Sequence, residues 1–166
     1  ETKECVIIDP GCFDETEQNK FISYISDNQL KPVKLLNTHT HIDHILGDIF
    51  ITETYGLKPE FQEKGMIFLD HFTQQAASFG LDLTEVPQHS DFLKDGYIIR
   101  FGNSSLKVIY TPVHADGSVC FLNEEQKFIV VGDLLFNQSI GRTDLPTGDF
   151  DILQESIQDK LYTLPD

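Results

Sequence analysis

The sequence has no tryptophan and few cysteines, and its three cysteines form no close pair. An odd number of isolated thiols excludes a small scaffold held together by disulfides. Cys5 and Cys120 lie in apolar segments, where a free thiol packs as a small hydrophobe, and Cys12 follows a Pro-Gly turn. Because free thiols persist in reducing compartments, the sequence predicts a cytoplasmic protein.

Long apolar runs and positive charge are also missing. No apolar segment approaches the roughly 20 residues needed to cross a bilayer, so no membrane partner is expected. The chain carries 12 Lys and Arg against 27 Asp and Glu, which gives a net charge of −15. A negative field of this size repels phosphate backbones, so we expect no nucleic-acid partner, whereas it attracts cations.

The chain does contain an alternation of strand and helix patterns. The predicted strands are Val6–Ile8, Val33–Asn37, Tyr97–Phe101, Leu106–Tyr110, Val119–Leu122 and Lys127–Val131. The predicted helices are one capped by Asp14 or Thr16, then Ile45–Tyr55, Phe68–Phe79, and one from Asp149 or Asp151 to about Leu161. Helices interleaved with strands indicate an α/β protein, and its 166 residues predict a single domain over 1–166.

Three of the six histidines fall in one short segment, His39-Thr40-His41-Ile42-Asp43-His44, called here the histidine run. It follows a predicted strand, and in an extended chain residues two apart share a face. His39, His41 and Asp43 are therefore expected to point the same way, with His44 approaching from the turn. Imidazole and carboxylate ligands suit zinc, iron or manganese, so the run predicts a metal site with room for two ions.

Two further candidate ligands also follow predicted strands. His114 comes after Leu106–Tyr110 in Thr111-Pro112-Val113-His114, and Asp133 follows Phe128–Val131 in the segment Gly132-Asp133. Side chains at strand ends are held rigidly while they face an open groove. Asp133 alone fits a turn residue equally well, but together with the histidines it is expected to complete a metal site.

The order of these residues resembles the metallo-β-lactamase superfamily, and within it the glyoxalase II-like hydrolases. The match rests on the histidine run, His114 and Asp133, with support from Asp9-Pro10-Gly11 and the segment Gly141-Arg142-Thr143-Asp144-Leu145-Pro146. The resemblance covers almost the whole chain. It implies an αββα four-layer sandwich with the metal site in a groove at one edge.

The resemblance also implies roles for these residues. His39, His41 and His114 would bind the first of two divalent ions, most simply zinc, with iron or manganese as alternatives. Asp43 and His44 would bind the second ion, and Asp133 would bridge the two. A hydroxide held between the metals, oriented by Asp43, would attack a thioester of the hydroxyacylglutathione type, because metal ions lower the pKa of bound water to about 7.

The sequence departs from the family pattern in two places. No histidine follows His114, although the family carries a further ligand in a Pro-Gly-His turn near the C-terminus. The second metal site is therefore expected to be incomplete, and the chain to be truncated at both ends, without an N-terminal strand and the C-terminal ligand segment. Val113 stands where the family usually has glycine, which predicts a different path for the loop before His114.

Arg142 is a lone cation shortly after Asp133, and it has two interpretations. It could anchor its loop through a bidentate pair with Asp144, or contact an anionic substrate, for which the resemblance suggests a glutathione thioester. The other two histidines, His71 on a predicted helix and His89 in a loop, are not expected to bind metal.

Three functions remain open at this point. The first is the thioester hydrolase, and the second is a mononuclear iron persulfide dioxygenase that needs only His39, His114 and Asp133. The third is a non-catalytic metal-binding module. A true β-lactamase is not expected, because that branch usually lacks a histidine directly after the motif aspartate. The sequence leaves the oligomeric state open.

Overall fold

The computed structural model describes residues 2–112, 114–144 and 147–164. The strands in this part of the chain are β1 (Glu4–Ile8), β2 (Lys31–Leu36), β3 (Pro59–Gln62), β4 (Phe92–Leu93), β5 (Ile98–Phe101), β6 (Ser104–Tyr110), β7 (Val119–Asn123), β8 (Phe128–Val130), β9 (Leu135–Phe136) and β10 (Ser139–Ile140). The α-helices are α1 (Glu15–Asp27), α2 (Ile42–Ile45), α3 (Asp48–Tyr55), α4 (Met66–Leu69), α5 (Phe72–Ser78) and α6 (Phe150–Ser156).

The first half of the chain forms a parallel sheet in the order β1-β2-β3-β4. The β1–β2 pairing shifts register between Cys5, opposite Pro32, and Val6, opposite Lys34. Pro32 has no N–H to donate to the ladder, which explains why regular pairing breaks there. Parallel pairing places the C-terminal ends of β1 and β2 at the same edge, and the histidine run leaves from that edge.

Helices α1 and α3 cover the outer face of this sheet. Of the two predicted caps, Asp14 is the N-cap of α1: it accepts a hydrogen bond from Glu17 N, while the Glu17 carboxylate accepts one from Phe13 N and a longer one from Asp14 N. The apolar side chains between helices and sheet form one cluster, built on Ile7, Leu35 and Ile51 with Phe21 and Phe50 packed against it.

The second half forms an antiparallel sheet in the order β5-β6-β7-β8. Alternate residues of β7 face opposite sides of this sheet, as the period of two requires. Phe121 packs into the cluster between the two sheets, whereas Cys120 packs against Leu153 of α6 on the outer side. The layers therefore run helix, sheet, sheet, helix, and the predicted αββα sandwich is confirmed.

The last helix begins at Asp149, whose side chain accepts hydrogen bonds from the backbone N–H groups of Asp151 and Ile152. A π-helical turn, Ile157–Leu161, follows α6 directly, so the last helix ends at Leu161, as predicted. None of the helices in the described part of the chain is both long and apolar enough to cross a bilayer.

The predicted helix Phe68–Phe79 is wrong as a single element, because it breaks into α4 and α5. His71 leaves the helical region, with φ −112° and ψ 17°. Its Nδ1 donates to the carbonyl oxygen of Ile67 at 2.8 Å, and Gln75 Nε2 donates to that of Phe68 at 2.8 Å. Side-chain donors thus bind carbonyl groups in the last turn of α4, where the chain changes direction.

The predicted helix Ile45–Tyr55 is also divided, since Ile45 ends α2 and a new helix begins at Asp48. Gly47 lies at the junction and donates its N–H to the carbonyl oxygen of Pro10 at 2.6 Å. A Cβ at this position would lie 2.4 Å from that oxygen, so the close approach requires glycine. Two short strands of the parallel sheet, β3 and β4, and the β9–β10 hairpin were not predicted.

Candidate metal centre

The histidine run changes from extended to helical conformation part-way along. His39 and His41 follow β2, and His41 is the N-cap of α2, so Asp43 and His44 lie in the first turn of that helix. The expectation that Asp43 shares a face with His39 and His41 is wrong, because the period of two ends at His41. The Asp43 side chain is 69% exposed, whereas His39 is 1% exposed.

Three histidines come together as the first candidate ligand group. One ligand nitrogen each from His39, His41 and His114 lies within 4.8 Å of the others. His41 Nδ1 and His114 Nε2 are 2.9 Å apart, a contact that requires a proton on one of them. His39 and His41 come from the segment after β2 and His114 from the loop before β7, so two sheets supply this group.

Hydrogen bonds around the rings determine which nitrogens are free. The Thr38 hydroxyl donates to Asp9 Oδ2 at 2.6 Å, so it must accept from His39 Nδ1, 3.1 Å away. His39 Nε2 is then unprotonated, and it is buried without a hydrogen-bond partner among the described residues. His114 Nδ1 donates to the Arg142 carbonyl oxygen at 2.8 Å, so its Nε2 is unprotonated and accepts from His41 Nδ1. A buried lone pair without a partner is costly, and a metal ion would satisfy it.

Asp133 lies between this group and His44. Its Oδ2 is 3.5 Å from His114 Nε2, and its Oδ1 is 3.3 Å from His44 Nε2. Ligand atoms of His39, His44 and Asp133 form a second group within 4.8 Å of one another. Asp43 belongs to neither group, and its Oδ2 lies 3.7 Å from His44 Nε2. The donor set fits one ion at the three histidines and supports a second beside Asp133.

Asp9 is a positioning residue that the sequence did not single out as functional. One carboxylate oxygen accepts from Thr38 N at 2.7 Å, and the other accepts from the Thr38 hydroxyl and from His44 Nδ1 at 3.1 Å. Asp9 therefore orients the His44 ring directly and the His39 ring through the Thr38 hydroxyl. The Asp-Pro-Gly turn after β1 could have indicated this role of Asp9, because the neighbouring parallel strand, β2, ends at the histidine run.

The two sides of the centre differ in their electrostatics without a metal. Burial, together with the neighbouring imidazoles, lowers the pKa of His39 well below its ordinary value and that of His41 to about 4. Burial also opposes a charge on His44, but hydrogen bonds to Asp133 and Asp9 outweigh it and raise its pKa to about 10. The His44 bond in turn lowers the pKa of Asp133 against the effect of burial. A cation is thus favoured beside Asp133.

The centre opens into a cleft of about 450 Å³. His41, His114 and Asp133 line this cleft, as do Asp43 and Arg142. The Arg142 guanidinium forms a bidentate pair with Asp144, with both N–O distances 2.7 Å, and this pairing lowers the pKa of Asp144 to about 2. The loop-anchoring interpretation of Arg142 is therefore observed, and Arg142 also lines the cleft.

The remaining predictions concern residues away from the centre. His71 is exposed, and His89 is half-buried and stacked on Phe92 with ring centroids 4.7 Å apart. Neither belongs to a metal-ligand group in the described segments. Cys5, Cys12 and Cys120 are free thiols. The predicted change of path at Val113 lies outside the described residues, as do Leu145 and Pro146 of the Gly-Arg-Thr-Asp-Leu-Pro segment.

Comparison with known proteins identifies the family. The family profile described as "Metallo-beta-lactamase superfamily" matches residues 1–165. The chain belongs to the metallo-β-lactamase superfamily. Among curated proteins it is similar to the hydroxyacylglutathione hydrolase GloC of Haemophilus influenzae, with 33% identity over 99% of this chain and 76% of that protein.

Two solved structures of metallo-β-lactamase-fold proteins are also similar over nearly the whole chain. The BLEG-1 B3 metallo-β-lactamase has a TM-score of 0.83 and 32% identity, covering 99% of this chain and 78% of its own. TTHA1623, solved in a di-iron-bound form, has a TM-score of 0.82 and 31% identity, covering 95% of this chain and 76% of its own.

Proposed function

We propose that this metallo-β-lactamase-fold chain is a metal-dependent thioesterase that hydrolyses substrates of the hydroxyacylglutathione type. The observation that carries the proposal is the carboxylate of Asp133 between His44 and His114, next to the unpartnered Nε2 of His39. The 33% identity to a hydroxyacylglutathione hydrolase over 99% of the chain supports the substrate class.

In this proposal His39, His41 and His114 hold one divalent ion, His44 and Asp43 contribute to a second, and Asp133 lies between them. Zinc is the proposed metal, since imidazole and carboxylate are ligands it prefers. Divalent ions would supply Lewis acidity and lower the pKa of a water molecule, so that a nucleophile exists at neutral pH. No serine or cysteine nucleophile is then required.

The chain's own groups would orient the reactants. Asp43 is exposed at the rim of the cleft, where its carboxylate can accept a hydrogen bond from the attacking water and position it. Arg142 would contact a carboxylate of the substrate, because it adds a guanidinium to a cleft in a chain of net charge −15. We propose that the protein acts in the cytoplasm, where thiols such as Cys12 remain reduced.

The direct test is hydrolysis of S-lactoylglutathione by purified protein loaded with zinc, followed by loss of thioester absorbance. We expect turnover that disappears on chelation and returns when zinc is added back. The Asp133→Ala variant should be inactive, whereas Asp27→Ala, an exposed carboxylate at the end of α1, should behave as the wild type. A zinc-loaded protein without turnover above its chelated form would contradict the proposal.

Two other activities have observations in their favour. The likeness to BLEG-1 favours testing a chromogenic cephalosporin under the same conditions. The two ligand groups share His39 and neither contains Asp43, so a second ion would have few ligands of its own, and a single ion would suit an iron persulfide dioxygenase. Oxygen uptake with glutathione persulfide by the iron-loaded protein, without thioester hydrolysis, would establish the dioxygenase. Metal content well under one ion per chain would instead favour a non-catalytic module.

A further inference from the structure

Two aromatic residues line the cleft, Phe68 of α4 and Phe79 at the end of α5, and they are called here the aromatic wall. The Phe68 ring meets the His41 ring edge-on, with centroids 4.5 Å apart and an angle of 79° between the planes. Phe68 is 7% exposed, whereas Phe79 is 69% exposed and lines the same cleft. A large apolar ring beside metal-ligand groups offers a contact surface for the apolar part of a ligand.

Local hydrogen bonds fix the backbone that presents Phe79. Phe79 is the C-cap of α5 and donates its N–H to the Ala76 carbonyl oxygen at 3.0 Å. Gly80 follows with φ 74°, and Leu81 donates to the same Ala76 carbonyl at 2.9 Å. Leu81 also packs against the cluster that contains Phe61 and Phe72. The Phe79 ring is thus carried on an anchored helix end, as a specificity residue requires.

The aromatic wall and Arg142 are separated by the ligand groups. Phe68 contacts His41, His41 lies 2.9 Å from His114, and His114 donates to the carbonyl oxygen of Arg142. The contacts therefore run from the Phe68 ring, through the candidate metal ligands, to the backbone of Arg142, which also lines the cleft. A thioester with its carbonyl at the centre would place its two halves on these two different surfaces.

We propose that Phe79, with Phe68 lining the same cleft, determines specificity for the acyl group of the thioester, while the anionic thiol half extends toward Arg142. This inference rests on the proposed thioesterase function and adds a direction of substrate binding to it. Because the wall is open to solvent at Phe79, it favours acyl groups that carry an apolar or aromatic substituent. Small acyl groups such as lactoyl would reach it less.

The kinetic test compares S-mandeloylglutathione with S-lactoylglutathione, which differ by a phenyl ring in place of a methyl group. The Phe79→Ala variant should lower the mandeloyl-to-lactoyl ratio of kcat/KM about two- to tenfold, the range that one aromatic contact contributes. The loss should lie mainly in KM, and Phe79→Tyr should restore the ratio. Tyr24→Ala removes an aromatic ring that is 64% exposed on α1, remote from the cleft, and should leave the ratio unchanged.

A binding measurement separates this inference from the proposed function. S-benzylglutathione and S-methylglutathione are thioethers that cannot be hydrolysed, and calorimetry with zinc-loaded protein gives their affinity ratio. We expect a preference for the benzyl compound that falls about two- to tenfold in Phe79→Ala and persists in Tyr24→Ala. If the wild type hydrolyses no thioester but shows this pattern, the thioesterase proposal fails, whereas the inference that Phe79 contacts the apolar group of the ligand is retained. An unchanged ratio in Phe79→Ala overturns the wall whether or not the protein is a thioesterase.

Discussion

Replacing Asp9 tests whether the centre depends on a carboxylate that touches no substrate. Asp9→Ala would remove the acceptor for Thr38 N at 2.7 Å, for the Thr38 hydroxyl at 2.6 Å and for His44 Nδ1 at 3.1 Å. Thr38 is buried, so its N–H would be left without a partner, at a cost of about 1–3 kcal/mol. The three losses share one group and do not add, so we expect about 2–4 kcal/mol lower stability of the metal-free protein.

Asp9→Ala should also lower the affinity for metal by more than the loss of stability alone would explain. With Asp9 gone, the His44 ring loses its fixed orientation, and the Thr38 hydroxyl is free to donate to His39 Nδ1, which reverses the tautomer. Removing such a support of ligand histidines typically costs about 10- to 100-fold in metal affinity. Zinc affinity is measured by competition with a chromophoric chelator at fixed pH.

Two controls make this result interpretable. Asp9→Asn keeps one acceptor oxygen and should lie between the wild type and Asp9→Ala in zinc affinity. Asp27→Ala, on the exposed end of α1, should bind zinc as the wild type does. If Asp9→Ala unfolds at lower denaturant yet binds zinc with wild-type affinity, the carboxylate supports the fold and not the ligands, and our reasoning about His39 and His44 is refuted.

Three further predictions concern a glycine, a buried carboxylate and a guanidinium. Gly141→Ala should weaken zinc binding, because a Cβ there would lie 1.9 Å from the Asp133 carbonyl oxygen. The control is Gly56→Ala, where φ is 70° but a Cβ would meet nothing within 4 Å, so this variant should lose stability and keep its zinc affinity. Burial raises the pKa of Asp48 well above its ordinary value, so the folded state keeps a proton that the unfolded chain releases above about pH 4. The free energy of unfolding of the wild type therefore falls as pH rises. Measured by urea denaturation, the stability of Asp48→Asn relative to the wild type should be about 1–3 kcal/mol greater at pH 8 than at pH 4. A difference between the two proteins that is the same at both pH values would contradict this. Arg142→Gln should raise KM for S-lactoylglutathione about 10- to 150-fold with little change in kcat, since a hydrogen bond to a charged group contributes about 1.5–3 kcal/mol. An unchanged KM would leave Arg142 as a loop anchor alone.

Much of the fold could be predicted because local signals agree with the tertiary structure. The capping box at Asp14 and Glu17 fixes the start of α1. The continuous apolar run of β7 matches its burial on both faces of the sheet. Short elements escaped prediction for a physical reason. A strand such as β3 owes its conformation to pairing with β2, and a two-residue strand such as β9 has no periodicity to detect.

The candidate ligands could be found from their residue types and spacing, but their arrangement could not. His39, His41 and His114 come together as their order along the chain implied. The orientation of Asp43 was missed because the start of α2 at Ile42 depends on how the turn packs, and an extended chain would have turned its carboxylate inward. Asp9 was missed because its role is visible only once β1 and β2 pair in parallel and bring it against Thr38.

The central claim is that the histidine run, His114 and Asp133 bind metal, and anomalous diffraction from zinc-soaked crystals tests it most directly. Data collected on both sides of the zinc absorption edge locate zinc independently of any assumption about activity. We predict a strong peak within about 2.0–2.1 Å of His39 Nε2, His41 Nδ1 and His114 Nε2. A second, weaker peak is expected beside Asp133. A map with no peak at the three histidines, and His39 Nε2 still without a partner, would contradict the claim.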